Sequence, residues 1–353
     1  MKKSTQAVFK KGFSKLTIYI LLTLFIVACQ QKKNTEHAES KLNAWKLLSK
    51  SGKLKKTDTL IFADPQLAKI VKGTEDLFTT YDTINLSKNY SINQLKLNRK
   101  LIDELKTIEK DSVDGFEITA ILSNHILSNI ERILNWKNVS QYDLSLLLKN
   151  HLITAKSPDN KLYSFSFDER TGGTYRSMLS IIYYNIDKGE QKFKPLFVSK
   201  EQGDDVFNPD GYGTIDTLHT KQGVKYLLIG SVVGCTTCIG SYVDFVHYNN
   251  GKFIKDFNYS VGTRSNNTNI PNSDYDDETS VINYDKKLRR INISYYTSDL
   301  TQGCNCGING TSDDEYTDGS NVNKTQRINC SYTLNGKTFK LTKKKSILIK
   351  SEN

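Results

Sequence analysis

The spacing of apolar residues changes once along this chain, near residue 152, and that change limits the folds open to it. Before it the period is three to four residues; after it the period is two. The first pattern makes one apolar stripe on a helix, and the second sorts side chains to opposite faces of a sheet. The chain therefore reads as α+β. A mostly helical part at 36–151 precedes an antiparallel β-rich part at 152–353.

In the helical part, Leu67, Ile70, Val71, Leu77, Phe78 and Tyr81 share one stripe, with Gly73 inside it. Asp64 and Pro65 supply an N-cap and a first-turn proline. Ser91 and Gln94 read as a capping box before Leu95, Leu101, Ile102, Leu105 and Ile108. Asp114 and Glu117 read as another before Ile118, Leu122, Ile126, Ile130 and Leu134. Ser140 opens a shorter helix through Leu144, Leu147 and Leu148.

Strand formers with a period of two fill 162–167, 226–233, 242–248, 291–296 and 328–334. Turn signals at Asn249-Asn250-Gly251, Asp285-Lys286-Lys287 and Asn335-Gly336 make antiparallel hairpins of them. A meander, a sandwich or an irregular propeller-like arrangement all satisfy this pattern. The stretches 200–214, 258–280 and 299–322 are rich in Asn, Asp, Ser, Thr and Gly and read as long surface loops.

The N-terminus has the layout of an export signal at 1–28. Lys2, Lys3, Lys10, Lys11 and Lys15 precede an apolar run from Leu16 to Ala28. At ~1.5 Å per residue the run is ~20 Å long, short of a ~30 Å hydrocarbon core. It ends at Ile26-Val27-Ala28-Cys29, which resembles the lipobox of bacterial lipoproteins. That resemblance covers about the first thirty residues. It implies cleavage before Cys29 and acyl chains on its sulfur and its new amino group, enough for stable anchoring. Gln30 in place of an aspartate implies, by resemblance to the known sorting rule, the outer membrane of the cell envelope. Residues 29–35 are then anchor and polar tether.

Removing the five signal lysines from a formal charge of +11 leaves +6, with both signs spread along the chain. No arginine-rich stripe marks a nucleic-acid surface, and no motif implies a cofactor. The run Lys343-Lys344-Lys345 reads as a solvated end of the chain, with contact to an anionic surface as the alternative.

Beyond Cys29 the cysteines are Cys235, Cys238, Cys304, Cys306 and Cys330. Outside the cytoplasm disulfides are the default. Closing a ring on Cys304-Asn-Cys306 is strained, so one of that pair is expected to reach Cys330 or the first pair. Four thiolates at CxxC and CxC spacing would alternatively hold a metal, and the CxxC alone could serve thiol redox chemistry. Cys330 shares a strand face with Ile328 and Tyr332, which favours a buried, structural role.

The acidic clusters Asp274, Asp276, Asp277, Glu278 and Asp313, Asp314, Glu315, Asp318 lack the spacing of a calcium loop. Asp168 and Glu169 precede Arg170 and a Gly172-Gly173 loop. Adjacent residues on an extended chain point opposite ways, so they do not read as a dyad. His37, His125, His151, His219 and His247 are dispersed, without metal-ligand spacing.

The reading is an anchored extracytoplasmic module that binds or scaffolds a glycan or protein of the envelope, without catalysis. An envelope hydrolase assembled from dispersed carboxylates is the competing class, and thiol or metal handling by the cysteine pairs the third. Cys29→Ala should leave the protein without lipid and released from the membrane; incorporation of labelled palmitate into the variant would refute the assignment.

Overall fold

The computed structural model describes residues 62–108, 111–170, 176–186, 196–198, 206–233, 238–264, 281–297, 304 and 324–350. The first 61 residues, with Cys29 and His37, lie outside them. Among the described residues three helices come first: α1 (Pro65–Thr83), α2 (Arg99–Ile108) and α3 (Gly115–Leu134). Two three-residue strands, β1 (Asn89–Ser91) and β2 (Ser112–Asp114), pair between them.

Asp64 caps α1, its Oδ1 accepting the N–H groups of Gln66 (2.8 Å) and Leu67 (3.2 Å). Asp114 caps α3 through the N–H of Glu117, as the capping box requires. Ser91 does not cap a helix. It ends β1 and leads into a single 3-10 turn at Ile92–Gln94. The helix begins instead at Arg99, where Asn98 Oδ1 accepts the N–H of Leu101 (3.1 Å). Pairing of Ser91 with Ser112 takes the backbone that a helix would have used. The segment after Ser140 likewise forms two short 3-10 turns, at Val139–Gln141 and Leu144–Leu146.

The β part consists of three consecutive four-stranded antiparallel meanders. The first contains β3 (Ile153–Lys156), β4 (Leu162–Asp168), β5 (Met178–Tyr184) and β6 (Leu196–Val198). The second contains β7 (Thr214–Thr220), β8 (Gly223–Val233), β9 (Cys238–Asn249) and β10 (Lys252–Arg264). The third contains β11 (Val281–Asp285), β12 (Arg290–Thr297), β13 (Lys324–Leu334) and β14 (Phe339–Lys350). The hairpin signals hold: Asn250 and Gly251 both take positive φ, 48° and 86°, between the paired Asn249 and Lys252.

The four layers stack in chain order. Tyr163, Phe165, Phe167, Ile181 and Tyr183 of the first sheet join the helices in one core. Leu162 and Ile182 turn the other way and meet Tyr226, Leu228, Tyr242 and Val246 of the second sheet. Leu227, Val243 and Phe245 face oppositely again and meet Ile291, Ile293, Ile328 and Tyr332 of the third. Period-two alternation thus supplies each of the first two sheets with two buried faces.

Polar ties cross each boundary. Between helices and first sheet, Arg170 donates to the carbonyls of Tyr81 and Ile84 at the C-terminus of α1, with its guanidinium over the Tyr81 ring. A cation there complements the helix dipole. Between the first and second sheets lies the segment 206–213. Its reading as a surface loop is overturned: Phe207, Asp210 and Tyr212 are buried. The facing Ser164, Ser166 and Ser180 are small enough to admit it, and its polar groups find partners. Asp210 Oδ1 accepts the N–H of Met178 (3.0 Å), and Tyr212 N donates to Ser164 Oγ (3.0 Å). Gly211, at φ 76°, stands where a Cβ would meet those of Ser166 and Ser180 at 3.0 Å. Residues 258–264 of the second presumed loop belong to β10; 265–280 lie outside the described residues.

Lys225 Nζ ties the second and third sheets. It meets Asp256 Oδ2 (2.9 Å) and the carbonyl of Lys337 (2.8 Å), and its side chain is 1% exposed. His247 Nδ1 lies 2.7 Å from the same Asp256 oxygen. Breaking a buried pair strands the remaining charge, so Lys225→Met should cost about 3 kcal/mol in denaturant unfolding. Lys225→Met with Asp256→Asn should recover much of that loss; a single variant within 0.5 kcal/mol of the parent, about the usual effect of a neutral surface change, would refute it.

Candidate binding surface

Both faces of the first two sheets carry core residues, whereas the third sheet carries one apolar core on one face alone. Its other face is polar. Along β13, Gln326, Ile328, Cys330 and Tyr332 are buried, while Arg327, Asn329, Ser331 and Thr333 alternate outward. Register places Asn292 of β12 beside Ser331, and Ser294 beside Asn329. On the other side Lys343 pairs with Ser331, Lys345 with Asn329 and Ile347 with Arg327.

Hydrogen bonds along the face hold the shorter side chains in place. Ser331 Oγ donates to Asn292 Oδ1 (3.0 Å), and Arg327 Nε donates to Ser294 Oγ (3.0 Å). A shallow hollow of about 370 Å³ lies over Arg327, Asn329, Ser331, Lys343, Lys345 and Ile347. Among the described residues no carboxylate lines it. Among the described residues neither Lys343 nor Lys345 joins an ion pair. Their positive charge faces solvent over a row of hydroxyls and carboxamides.

The lysine run is solvent-exposed, as read from the sequence, but it lies inside strand β14. The apolar residues flanking it, Leu341, Ile347 and Leu348, make it a strand, and lysines on an edge strand oppose pairing with another chain. The period-two alternation of β13 puts Ile328, Cys330 and Tyr332 on one face, as read from the sequence; its polar half, Arg327, Asn329 and Ser331, was not read there as a surface.

The other candidate residues fall elsewhere. Cys304 and Cys330 are bonded, both buried in the core beneath this face, and Tyr332 Oη donates to the Cys304 carbonyl. Cys304 is thereby lost to any four-thiolate set. Cys235, Cys306 and both acidic clusters lie outside the described residues, as does the side chain of Cys238 in β9. Asp168 accepts the N–H of Arg170, whereas Glu169 accepts from Ser177 Oγ, so the adjacent carboxylates have separate partners. His125 pairs with Glu104 on α2 (2.7 Å), His151 with Asp82 (3.2 Å), and His219 is exposed. Among the described residues no three His, Cys, Asp or Glu come together as metal ligands.

Sequence reasoning did not foresee the polar cluster between the first two sheets. Tyr212 Oη donates to Asp244 Oδ2 (2.5 Å), and Lys255 Nζ lies 3.2 Å from Asp244 Oδ1. Burial raises the Asp244 carboxyl above its ordinary range despite Lys255, and raises the Tyr212 phenol with it. Asp244 and Tyr212 are 4% and 2% exposed, which keeps a substrate from reaching them and makes the cluster a structural tie.

Comparison with protein-family models, with curated proteins and with solved structures returned no match. The Cys304–Cys330 bond closes 26 residues of chain. Replacing both cysteines with serine should lower unfolding stability by about 3 kcal/mol; a transition unmoved by the change, or by reductant on the parent, would contradict it.

Proposed function

We propose that this chain is a lipoprotein held by lipid on Cys29 at the outer membrane, and that it works there as a binding module. Its ligand is an anionic polysaccharide of the cell envelope, laid across the outer face of the third sheet. The observation that carries this reading is the combination of Lys343, Lys345 and Arg327 with Asn292, Ser294, Asn329 and Ser331 on one sheet face, over a shallow hollow. Hydroxyl and carboxamide groups match the hydrogen-bonding edges of sugars, and the cations match their carboxylates. The scarcity of apolar groups on the face favours a polar polymer over a protein interface core. Tyrosine stacking plays little part, because nine of the tyrosines are core residues and face away from solvent.

The full-length protein should be retarded in gels containing polygalacturonate and not in gels containing neutral dextran. Lys343→Ser with Lys345→Ser should weaken retardation by tenfold or more, at about 1 kcal/mol per lysine. Lys88→Ser with Lys137→Ser makes the same change of charge on the helical part and should have little effect. Equal losses in the two double variants would reduce the interaction to net charge and overturn the assignment of this face.

A further inference from the structure

A second concave surface lies at the opposite end of the stack. Along α1, Gln66, Lys69, Ile70, Gly73, Leu77 and Thr80 recur at helical spacing and form one wall of a groove of about 730 Å³. Leu97 and Leu101 form the facing wall, and Arg132 of α3 and Trp136 just past its end close one end. The floor is apolar and the margins are polar. From Gln66 to Thr80 the wall runs about 21 Å, or about four helical turns.

Three features bear on what lies in it. The first is Gly73. A glycine inside a helix costs about 1 kcal/mol relative to alanine. Among the described residues, nothing lies within 4 Å of where its Cβ would be. Packing therefore does not require the glycine. Its missing side chain leaves the α1 backbone open to close approach midway along the groove. The second is Trp136, partly exposed at the groove end while its Nε1 donates to Asp64 Oδ2 (3.0 Å). The carboxylate that caps α1 through Oδ1 thus also fixes the indole through Oδ2, and a rigid aromatic beside an apolar floor is the common anchor of an interface.

The third is charge. Lys69 lies about one turn past the Asp64–Trp136 contact on α1, and Arg132 one turn before it on α3. Glu104 of α2 meets His125 of α3, and Lys96, just before α2, lines the groove together with Asn129 and Arg132 of α3. Among the described residues none of these three cations has an ion-pair partner, whereas Asp76, the acid on the margin, is engaged by Lys72. The chain's own residues 41–56 carry six lysines and no acid, so their charge matches that of the margin and disfavours them as occupants.

We propose that this groove is a docking site for an acidic amphipathic helix of another protein. Such a helix would lay an apolar stripe of about four turns on Ile70, Leu77 and Leu97, cross α1 at Gly73, and set its carboxylates against Lys69, Lys96 and Arg132. An open trough suits a helix, whose third face stays in water, better than an acyl chain, which would remain exposed along one side. The site is independent of the glycan surface, since the two share no residue.

The test is selection of displayed random peptides on the full-length protein, counter-selected on Gly73→Leu, whose side chain would occupy the groove. Peptides with acidic residues flanking an i, i+3, i+4, i+7 apolar pattern should be enriched. A synthetic copy of the best should lose about tenfold or more in affinity for Gly73→Leu and for Lys96→Glu with Arg132→Glu. Gly73→Ala should unfold at a higher denaturant concentration than the parent, which shows that the position itself tolerates a side chain. Failure to enrich any peptide against Gly73→Leu would overturn the proposal. So would basic or patternless winners, or winners displaced by anionic phospholipid vesicles.

Discussion

Strand β10 contributes to two different cores, and it can do so because of one extra residue. Before Asp256, Phe253 packs between the first and second sheets; after it, Phe257, Tyr259 and Val261 pack between the second and third. Side chains on a regular strand alternate, so residues of the same parity would all have stayed on one side. The register shift between Lys255 and Phe257 reverses the faces. The bulge leaves the Asp256 carboxylate largely out of solvent, where the Lys225 ammonium neutralises it and His247 Nδ1 lies within hydrogen-bond distance. The carbonyl of Lys337, from the β13–β14 hairpin, completes the coordination of the ammonium group. The same contact that stabilises the bulge therefore fixes the third sheet against the second.

The layered order follows from this arrangement. Each boundary is apolar over most of its area and is pinned by a few buried or half-buried polar groups: Arg170 at the first, Tyr212 and Asp244 at the second, Lys225 and Asp256 at the third. Apolar contact is non-directional and supplies the driving force. Paired buried charges are costly unless their geometry is satisfied, so they discriminate against other sliding positions of one sheet on the next. Such a stack ends in two surfaces that no other described residue covers. At one end the surface is the outside of three helices, with a groove; at the other it is a sheet face bearing lysines.

Legibility differed with the range of the interactions. Caps at Asp64 and Asp114 and the Asn250-Gly251 hairpin depend on neighbours within four residues, and they stand as written in the chain. Ser91 carries the same local signal as Asp114, but pairing with Ser112, twenty-one residues away, claims its backbone. The polar composition of 206–213 gave the reading of a surface loop, since nothing nearby in sequence reveals that Ser164 and Ser180 leave room for it. The lysine run was legible as solvent-exposed. Its membership of a strand depended on β13 being available to pair.

The sequence by itself determined the order of helical and β parts, the antiparallel hairpins and the apolar alternation, because period and turn chemistry are local. It also carries the motif at Cys29 from which anchoring is proposed. Only the tertiary structure decided which sheet faces are buried, since alternation separates two faces without saying what each will meet. It likewise decided that Cys304 bonds Cys330, a partnership between residues 26 apart that depends on their meeting in one core. The candidate binding surfaces belong to the same class: each is made by elements distant in sequence.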